Sequence, residues 1–495
     1  MKVLCLSAAL LAALPAAAQN TPPGAPPGRA EQRRQATPGQ AAMPLASGTQ
    51  VLTLDEAERL LVDRNLSVIA ARRGVDIARA QRLVSSSIPP PIVSAGNTFG
   101  QFNETGSRPA GAGRPGPISG ARFLSPTNNV NAGLQVLVEL GGKRELRTRL
   151  ADENIGAAEA LVLDALRGQL YTLRQNFFAA LGARANLEVA LTNRAGLDRT
   201  EALLRRQLRD GAIPEGDLLR FQASRVAFEN DVVTNAQAYA AAIAQIAVTL
   251  AADAADFRPA PPPPARGAAA DPVRATLSSL AFDVRGRFDL TPDLGISRDE
   301  LGGAVQNRPD VVAALRQASA AGANVALAEA ARWRDVTVNA GASRSRLNQD
   351  LPAAVVPLDA NTQFTVQLSV PIFTRRIVEG NVGVASGQAG RADAQARAAL
   401  LQARADFATA WSAVEQSRAL LSLYTGGALA RAEAAYRSAE QAYLAGGSSL
   451  IEVLDALRTL NTTRLAANTA RTNYLTALAQ LELATGVGGI SPRLR

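Results

Sequence analysis

The chain has 495 residues, of which 47% are hydrophobic and only 4% are aromatic, so its apolar content is mainly alanine, leucine and valine. That composition is typical of long helices. There is no histidine and only one cysteine, Cys5, which excludes Ser-His-Asp and Cys-His catalysis and Cys/His zinc sites. The net charge of +9 comes mostly from arginines scattered among acidic residues, a distribution that does not indicate a nucleic-acid partner.

Residues 1–18 have the pattern of a cleavable secretory signal peptide: a lysine, then an apolar stretch, then three alanines. Residues 19–48 are rich in Pro, Gly, Ala and Gln without periodicity, which predicts a disordered lead-in. Cys5 lies too early to be a lipidated first residue of the mature chain. We therefore expect an exported protein without a lipid anchor.

After this leader the chain runs twice through the same order of predicted elements. Residues 49–252 form the first repeat and residues 298–487 the second. Each repeat predicts a helix, two strands separated by a polar Gly/Pro-rich loop, a very long helix and a shorter returning helix. The Pro-rich segment 253–297 predicts an irregular connector, and residues 488–495 form a C-terminal tail.

The strand segments alternate apolar and polar residues. Val and Leu alternate with Asn and Gln in 130–138, and segments 336–342 and 363–370 repeat the pattern. Each segment is about 10 residues long, which is what a tilted strand needs to cross a bilayer. No uncharged apolar stretch of about 18 residues follows the leader, so we expect any membrane crossing to use strands. An ordinary half-buried sheet is the alternative, and four strands cannot close a barrel without further copies.

Two very long helices are predicted, at 142–209 and 376–445. At 1.5 Å per residue each would be roughly 100 Å long. Apolar residues at spacings of three and four predict that they pack along their length as coiled coils do. Glycine-containing breaks at 210–214 and 445–449 precede the returning helices. The predicted fold class is mainly α with a small β part, built from duplicated long helical hairpins.

Over residues 50–487 the chain resembles the TolC-type outer-membrane efflux channels. The resemblance rests on the order and duplication of motifs, which are LTLDEA at 52–57, VELGGKR at 138–144, NRPD at 307–310, PIF at 371–373 and the two glycine breaks. It implies a homotrimer in which each protomer gives four strands to one shared outer-membrane β-barrel, continued in the periplasm by an α-barrel of hairpins. It also implies a periplasmic adaptor protein and an inner-membrane pump as partners, and contact with outer-membrane lipid.

The resemblance gives the hairpin tips two roles, docking of the adaptor and closure of the channel. The docking tips would be Gly211, Ala212 and Ile213 in the first hairpin and Gly446, Gly447 and Ser448 in the second. Glu452 and Asp455 match a pair of acidic residues at the narrowest point, so three copies would form stacked acidic rings that favour cations. A solvated acidic helix face is the alternative. Asp217 and Tyr443 match a contact between neighbouring hairpins that holds the gate closed, whereas Ser448 stands where an arginine is common.

The cargo and the rival functions stay open at this stage. VELGGKR and PIF look more like the cobalt-zinc-cadmium branch than the multidrug branch, which favours metal cations over small organic compounds. No resident metal, cofactor or catalytic residue is predicted, and a transported ion would pass acidic walls rather than soft ligands. A periplasmic adaptor or structural coiled-coil protein is the alternative, although adaptors normally show one hairpin flanked by β-domains. An enzyme is not expected because no globular cleft accompanies the carboxylates.

Overall fold

The computed structural model describes residues 49–100, 127–252, 272–289, 295–347 and 361–492. The predicted signal peptide, the disordered lead-in, nearly all of the two polar loops and much of the connector lie outside these residues. Those predictions therefore remain predictions.

The first repeat begins with helices that are capped by the residues preceding them. Its elements are β1 (Gln50–Leu52), α1 (Leu54–Arg64), α2 (Leu66–Ser86), β2 (Ile92–Gly100), β3 (Thr127–Val138), α3 (Lys143–Arg209) and α4 (Glu215–Thr249). Thr53 and Glu56 form a capping box at the start of α1, and the Asn65 side chain accepts a hydrogen bond from the Val68 amide at the start of α2. These caps fix where the chain turns before the long helices.

The second repeat follows the same order. Its elements are α6 (Arg298–Ala304), a 3₁₀ turn (Val305–Asn307), α7 (Pro309–Ala330), β5 (Val336–Leu347), β6 (Asn361–Ser369), α8 (Arg375–Leu423), a π-turn (Tyr424–Ala428), α9 (Leu429–Leu444) and α10 (Leu450–Thr485). Between the repeats lie α5 (Pro272–Ser278) and β4 (Phe282–Val284). The long helix of the second repeat is therefore broken, whereas α3 runs uninterrupted over 67 residues.

The four long strands form one antiparallel sheet in the order β2-β3-β5-β6. Its register places Leu134 opposite Ala340 and Val136 opposite Val338, so the apolar residues of neighbouring strands share one face. That face is not covered: Val130 and Val366 are exposed, as is every residue of β6. The alternative of an ordinary half-buried sheet does not describe this arrangement.

The long helices pack as a single layer in the order α4, α3, α10 and then α8 with α9. The core lies where α1 and the short strands β1 and β4 meet α3 and α4. Phe177, Phe178, Tyr239 and Phe282 are fully buried there. Asp283, buried in the same region, accepts hydrogen bonds from the Tyr239 hydroxyl at 2.7 Å and from Arg184 Nε at 3.2 Å.

Two segments are more ordered than the sequence analysis predicts. The described part of the connector contains α5 and β4, and β4 pairs in parallel with β1 at the start of the first repeat. The C-terminal tail also packs: the Ser491 hydroxyl donates to buried Glu482 at 2.7 Å, and Ile490 is buried. β1 is far from β4 along the chain, and Ile490 belongs to a buried cluster with Leu301 and Val305 at the start of the second repeat. Local composition cannot reveal such partners.

One helical stretch among the described residues, Arg298–Ala330, is long and apolar enough by length and composition to cross a membrane. Pro309 and the 3₁₀ turn interrupt it, and its second part packs against α3 and α8. Arg316 in α7 pairs with Glu153 of α3 at 3.2 Å. These contacts are those of a helix packed in the helical layer.

Candidate functional site: the hairpin tips

The two hairpin tips have the same backbone geometry. Gly211 ends α3 with φ +72° and Gly446 ends α9 with φ +76°, a left-handed conformation that glycine adopts without strain. At the first tip the Ala212 amide donates to the Gln207 carbonyl at 2.8 Å, and at the second the Gly447 amide donates to the Ala442 carbonyl at 2.8 Å. The duplication predicted from sequence therefore extends to the hydrogen bonds of the turns.

A small apolar cluster joins the two tips within one chain. Phe221 and Phe228 from α4 are buried against Leu197 and Leu204 from α3. Three residues from the start of α10 pack against this cluster: Leu450, Leu454 and Leu457. The position of the second tip is thus set by the first hairpin.

Glu452 and Asp455 lie on the first turns of α10 and are both exposed. Their spacing places them on one helix face. Ser449 caps the helix: its hydroxyl accepts from the Glu452 amide at 3.4 Å and donates to the Glu452 carboxylate at 3.3 Å. Asp455 has no ion-pair partner among the described residues. Glu452 therefore also stabilises the start of α10, whereas Asp455 presents an unpaired charge.

Asp217 and Tyr443 are not brought together within one chain. Asp217 lies on the first turn of α4, half-buried, with Arg220 Nη1 at 3.8 Å. The Tyr443 hydroxyl makes no hydrogen bond within the described part of the chain. The Ser448 hydroxyl already has a hydrogen-bond partner within its own hairpin, because it donates to the Ala439 carbonyl at 3.3 Å. Any contact between Asp217 and Tyr443 would have to come from another copy or another conformation.

Near the first tip, Arg225 of α4 forms ion pairs with residues of α3 and of its own helix. Its guanidinium pairs with Glu201, with Asp198 at 2.5 Å and with Glu229 at 2.9 Å. The side-chain hydrogen bond from Gln222 and the pairs with arginine lower the pKa of Glu201, outweighing the opposing effect of burial. The carboxylate therefore stays charged and holds the hairpin together across neutral pH.

Further from the tips, buried and partly buried amide side chains form hydrogen bonds between the two hairpins. Asn193 Nδ2 donates to Asn461 Oδ1 at 2.8 Å, and Asn461 Nδ2 donates to Asp231 Oδ2 at 2.9 Å. Asn468 Nδ2 donates to Asn186 Oδ1 at 2.9 Å. The sequence analysis missed this set, although the spacing of seven residues in both helices is visible in the sequence.

Arg308 of the NRPD motif is buried, and its guanidinium donates hydrogen bonds to several groups. It makes a two-pronged pair with Asp310 at 3.0 and 2.7 Å and reaches Asp406 at 3.1 Å. It also donates to the carbonyls of Ala403 and Ala484 at 3.4 and 3.2 Å. The motif thus joins α7, α8 and α10, a structural role rather than a catalytic one. Among the described residues no group of acidic side chains could hold a metal ion.

The comparisons with known proteins agree with this architecture. The sequence profile of the family described as outer membrane efflux protein matches residues 301–487, which is the second repeat. Over this part of its length the chain is similar to the outer membrane efflux protein family. No curated protein sequence matches the chain.

Solved structures with the same fold span nearly the whole chain. The chain is similar to CusC, from a study of its folding and transmembrane channel formation, with a TM-score of 0.65 and 18% identity over 91% of this chain and 98% of that one. It is similar to the CmeC outer membrane channel of Campylobacter jejuni, with a TM-score of 0.67 and 17% identity over 88% and 85%. It is also similar to the open state of the Neisseria gonorrhoeae MtrE outer membrane channel, with a TM-score of 0.63 and 19% identity over 91% and 94%.

The match over the second repeat agrees with the TolC-type resemblance, and the shared fold confirms the mainly helical fold class. The family matched by the second repeat is described as outer membrane efflux protein, and CmeC and MtrE are outer membrane channels. The roles predicted for the tip residues are not tested by these likenesses.

Proposed function

We propose that the chain forms a homotrimeric outer-membrane channel that serves as the exit duct of a tripartite pump. In this proposal it is exported by a cleaved signal peptide, carries no lipid anchor and extends from the outer membrane into the periplasm. Its partners are a periplasmic adaptor protein, an inner-membrane pump and outer-membrane lipid. The observation that carries the proposal is the uncovered sheet. Its apolar face suits lipid, and among the described residues its two edge strands have no partner on their outer sides.

The sheet argues for more than one copy. Neither β2 nor β6 pairs with another strand on its outer side in the described part of the chain. Open edges invite pairing, and a barrel wide enough to pass solutes needs more than four strands. Strand direction alternates along β2-β3-β5-β6, so β6 of one copy can pair antiparallel with β2 of the next and continue the sheet.

The helical layer has the same two free edges. On α4, Leu219 and Val226 lie seven residues apart and are more than half exposed. At the opposite edge, Leu401 and Leu423 of α8 are equally exposed. Exposed apolar residues on both outer helices, seven residues apart on α4, fit the closure of the layer into a ring of copies. An adaptor or a structural coiled-coil protein would have no use for the exposed sheet, which favours the channel.

At the tips, three copies would bring three Glu452 and three Asp455 side chains to one level, forming acidic rings that favour cations. Asp217 of one copy and Tyr443 of its neighbour would then hold the hairpins closed, with Ser448 contributing no such bond. The turns at Gly211, Ala212 and Ile213 and at Gly446, Gly447 and Ser448 would dock the adaptor. We propose metal cations as the cargo, with small organic compounds as the second candidate.

The test is conductance in planar bilayers of protein purified from outer membranes in detergent. We expect small cation-selective steps, and we expect a Glu452→Gln/Asp455→Asn variant to lose selectivity while keeping its fold. These substitutions are sharper than alanine because glutamine still accepts the Ser449 hydrogen bond of the cap. Glu415→Gln, at an exposed position of α8 away from the tip, is the matched control.

Each outcome separates a different part of the proposal. Selectivity unchanged in the double variant would remove the gate role of Glu452 and Asp455 and keep the channel. Well-folded trimer without conductance in any form would contradict the channel itself. A monomer released from the periplasm without detergent would favour the adaptor reading.

A further inference from the structure

The two corners that lead from sheet to helix are equivalent positions in the two repeats. The chain leaves β3 through Leu140 and Gly141 into α3, and it leaves β6 through Ile372 and Phe373 into α8. Gly141 has φ +80° and Phe373 has φ +58°. Both corners therefore need a left-handed residue, and the second one uses an aromatic residue in place of glycine.

Phe373 is energetically unfavourable at this position. In the left-handed region the Cβ atom of an L-residue crowds the backbone, and for a bulky residue the conformation is a rare outlier. Apart from Ala251, it is the only non-glycine residue with positive φ in the described part of the chain. Its side chain is nevertheless 89% exposed, so no packing against the described residues compensates for the strain.

The first corner shows what covers such a position. Trp333, in the segment that leads into β5, lies directly over Gly141, where an added Cβ would come within 2.7 Å of Trp333 Cδ1. Asp335 ties the same segment to the corner, accepting from Lys143 Nζ at 2.8 Å and from the Leu140 amide at 3.1 Å. The corner after β3 thus packs against the segment that enters the next strand of the sheet.

The second corner has no next strand in the part of the chain that the structure describes, because β6 is the sheet edge there. At the opposite edge, the segment that enters β2 carries three apolar residues at its end of α2, each about two-thirds exposed: Leu83, Val84 and Ile88. This segment has no tryptophan. At the first corner the large aromatic side chain is Trp333, which comes from the segment that enters the next strand. At the second corner it is Phe373, which lies in the corner itself.

We propose that Phe373 of one copy packs against Ile88 and the end of α2 in the next copy, with Ile377 beside it. The contact reproduces between copies the packing of Gly141 and Trp333 within one copy, with the large and small partners exchanged. The strained backbone at Phe373 is stable because this contact forms in the assembly. The inference rests on the proposed trimer and names a contact that seals its junction at the base of the sheet.

Disulfide trapping tests this contact in the full chain, in a Cys5→Ser background that leaves no native thiol. We expect the Phe373→Cys/Ile88→Cys pair to give covalent dimers and trimers on oxidation in outer membranes, reversible by reductant. The matched control is Phe373→Cys/Arg73→Cys, because Arg73 is an exposed residue of α2 roughly 20 Å further along the helix from Ile88. Cross-linking that is equal in both pairs would overturn the inference.

Lipid is the rival occupant, and fluorescence distinguishes it. We expect a Phe373→Trp variant in brominated-lipid vesicles to show no quenching beyond that of the parent protein. Strong extra quenching together with absent cross-linking would assign Phe373 to lipid and overturn the contact. Native mass spectrometry separates this failure from a failure of the proposed function, since a trimer would persist in the first case and be lost in the second.

The strain supplies an independent readout. Phe373→Gly relieves the backbone, as glycine does at the first corner, but it removes the side chain that fills the junction. We expect this variant to keep its helix content while its trimer dissociates at a lower temperature in detergent. A trimer at least as heat-resistant as the parent would overturn the inference.

Discussion

Asn193 and Asn461 bind each other through buried side chains at 2.8 Å, joining the first hairpin to the second. Seven residues away on each helix, Asn186 and Asn468 repeat the contact. The helices are antiparallel, so the two pairs match only in one register, and a slip would leave polar groups buried without partners. The pairs therefore fix the height of the acidic residues Glu452 and Asp455 relative to the first hairpin.

Replacing Asn461 by alanine should destabilise the protein by about 1–3 kcal/mol, because Asn193 loses its acceptor and Asp231 its donor in a buried site. The measurement is helix unfolding followed by circular dichroism in urea. Thr469→Ala, on an exposed position of α10, is the control and should change stability by less than about 0.5 kcal/mol. Equal midpoints for the two variants would contradict a role for the amide pair.

Removing both amides at once should behave differently. An Asn193→Leu/Asn461→Leu variant replaces both members of the amide pair by apolar groups of similar size, so Asn193 is not left unpaired, although Asp231 still loses its donor. We expect it to cost less than the Asn461→Ala single variant. The register should then be less well fixed, and we expect weaker cation selectivity as the tips lose their alignment. Selectivity and stability that fall together in both variants would argue against a role in register.

Arg308 is the second position where a single change should be severe. Arg308→Ala leaves Asp406 without its cation and Asp310 with only Arg167 at 3.5 Å, and it removes the hydrogen bonds to two backbone carbonyls. Breaking such a buried set costs about 3–5 kcal/mol. Arg308→Lys should recover only part of the loss because an ammonium cannot make the two-pronged pair. The yield of folded protein in the outer membrane measures the effect, with the exposed Arg397→Ala as control.

Much of this fold could be predicted from the sequence, because periodicity is a local signal. The uninterrupted α3, the strands from Val336 and the glycine turns at Gly211 and Gly446 follow from spacing and from glycine conformational freedom. The order of β4 and of the C-terminal residues could not be predicted, since β4 depends on β1 and Ile490 on a cluster that includes Leu301, and both partners are remote in sequence. Neither could the break at Tyr424–Ala428, because Gly426 and Gly427 within a helical pattern indicate a weak point without its geometry.

The site was only partly predictable for the same reason. Glu452 and Asp455 share an exposed helix face, as their spacing predicts. Glu452 also takes part in the cap of α10 through its hydrogen bonds with Ser449. Asp217 and Tyr443 do not meet within one chain, and a single sequence contains no information on a contact between copies. Their roles stay predictions.

Acid should lower the free energy of unfolding over a defined pH range. Burial raises the pKa of Asp310, but the hydrogen bond from Arg308 and the charges of Arg167 and Arg308 outweigh it, so the pKa is lowered overall. The pKa of Glu201 is also lowered, chiefly by the Gln222 hydrogen bond. Carboxylates with a lowered folded pKa stabilise fully above their unfolded values of about 4, and this stabilisation is lost as the pH falls through the folded values.

We therefore expect an unfolding free energy that is flat between about pH 7 and pH 5 and falls below about pH 4. Urea midpoints across this range measure it. A Glu201→Gln/Asp310→Asn variant should be less stable at neutral pH and show a shallower acid slope. A slope equal to that of the parent would mean that other carboxylates dominate acid unfolding.

The bend in the second hairpin offers a paired test of backbone conformation. Gly427 has φ +119° inside the π-turn, whereas its neighbour Gly426 has φ −75° and ψ 16°, which alanine tolerates. Gly427→Ala should therefore cost about 1–2 kcal/mol, while Gly426→Ala should be neutral or slightly stabilising because it reduces the freedom of the unfolded chain. Thermal unfolding compares the two, and spin labels at exposed positions on α8 and α9 report whether the bend persists. Equal stability of the two variants with an unchanged distance would show that the bend is held by packing around Leu421 rather than by the conformational freedom of Gly427.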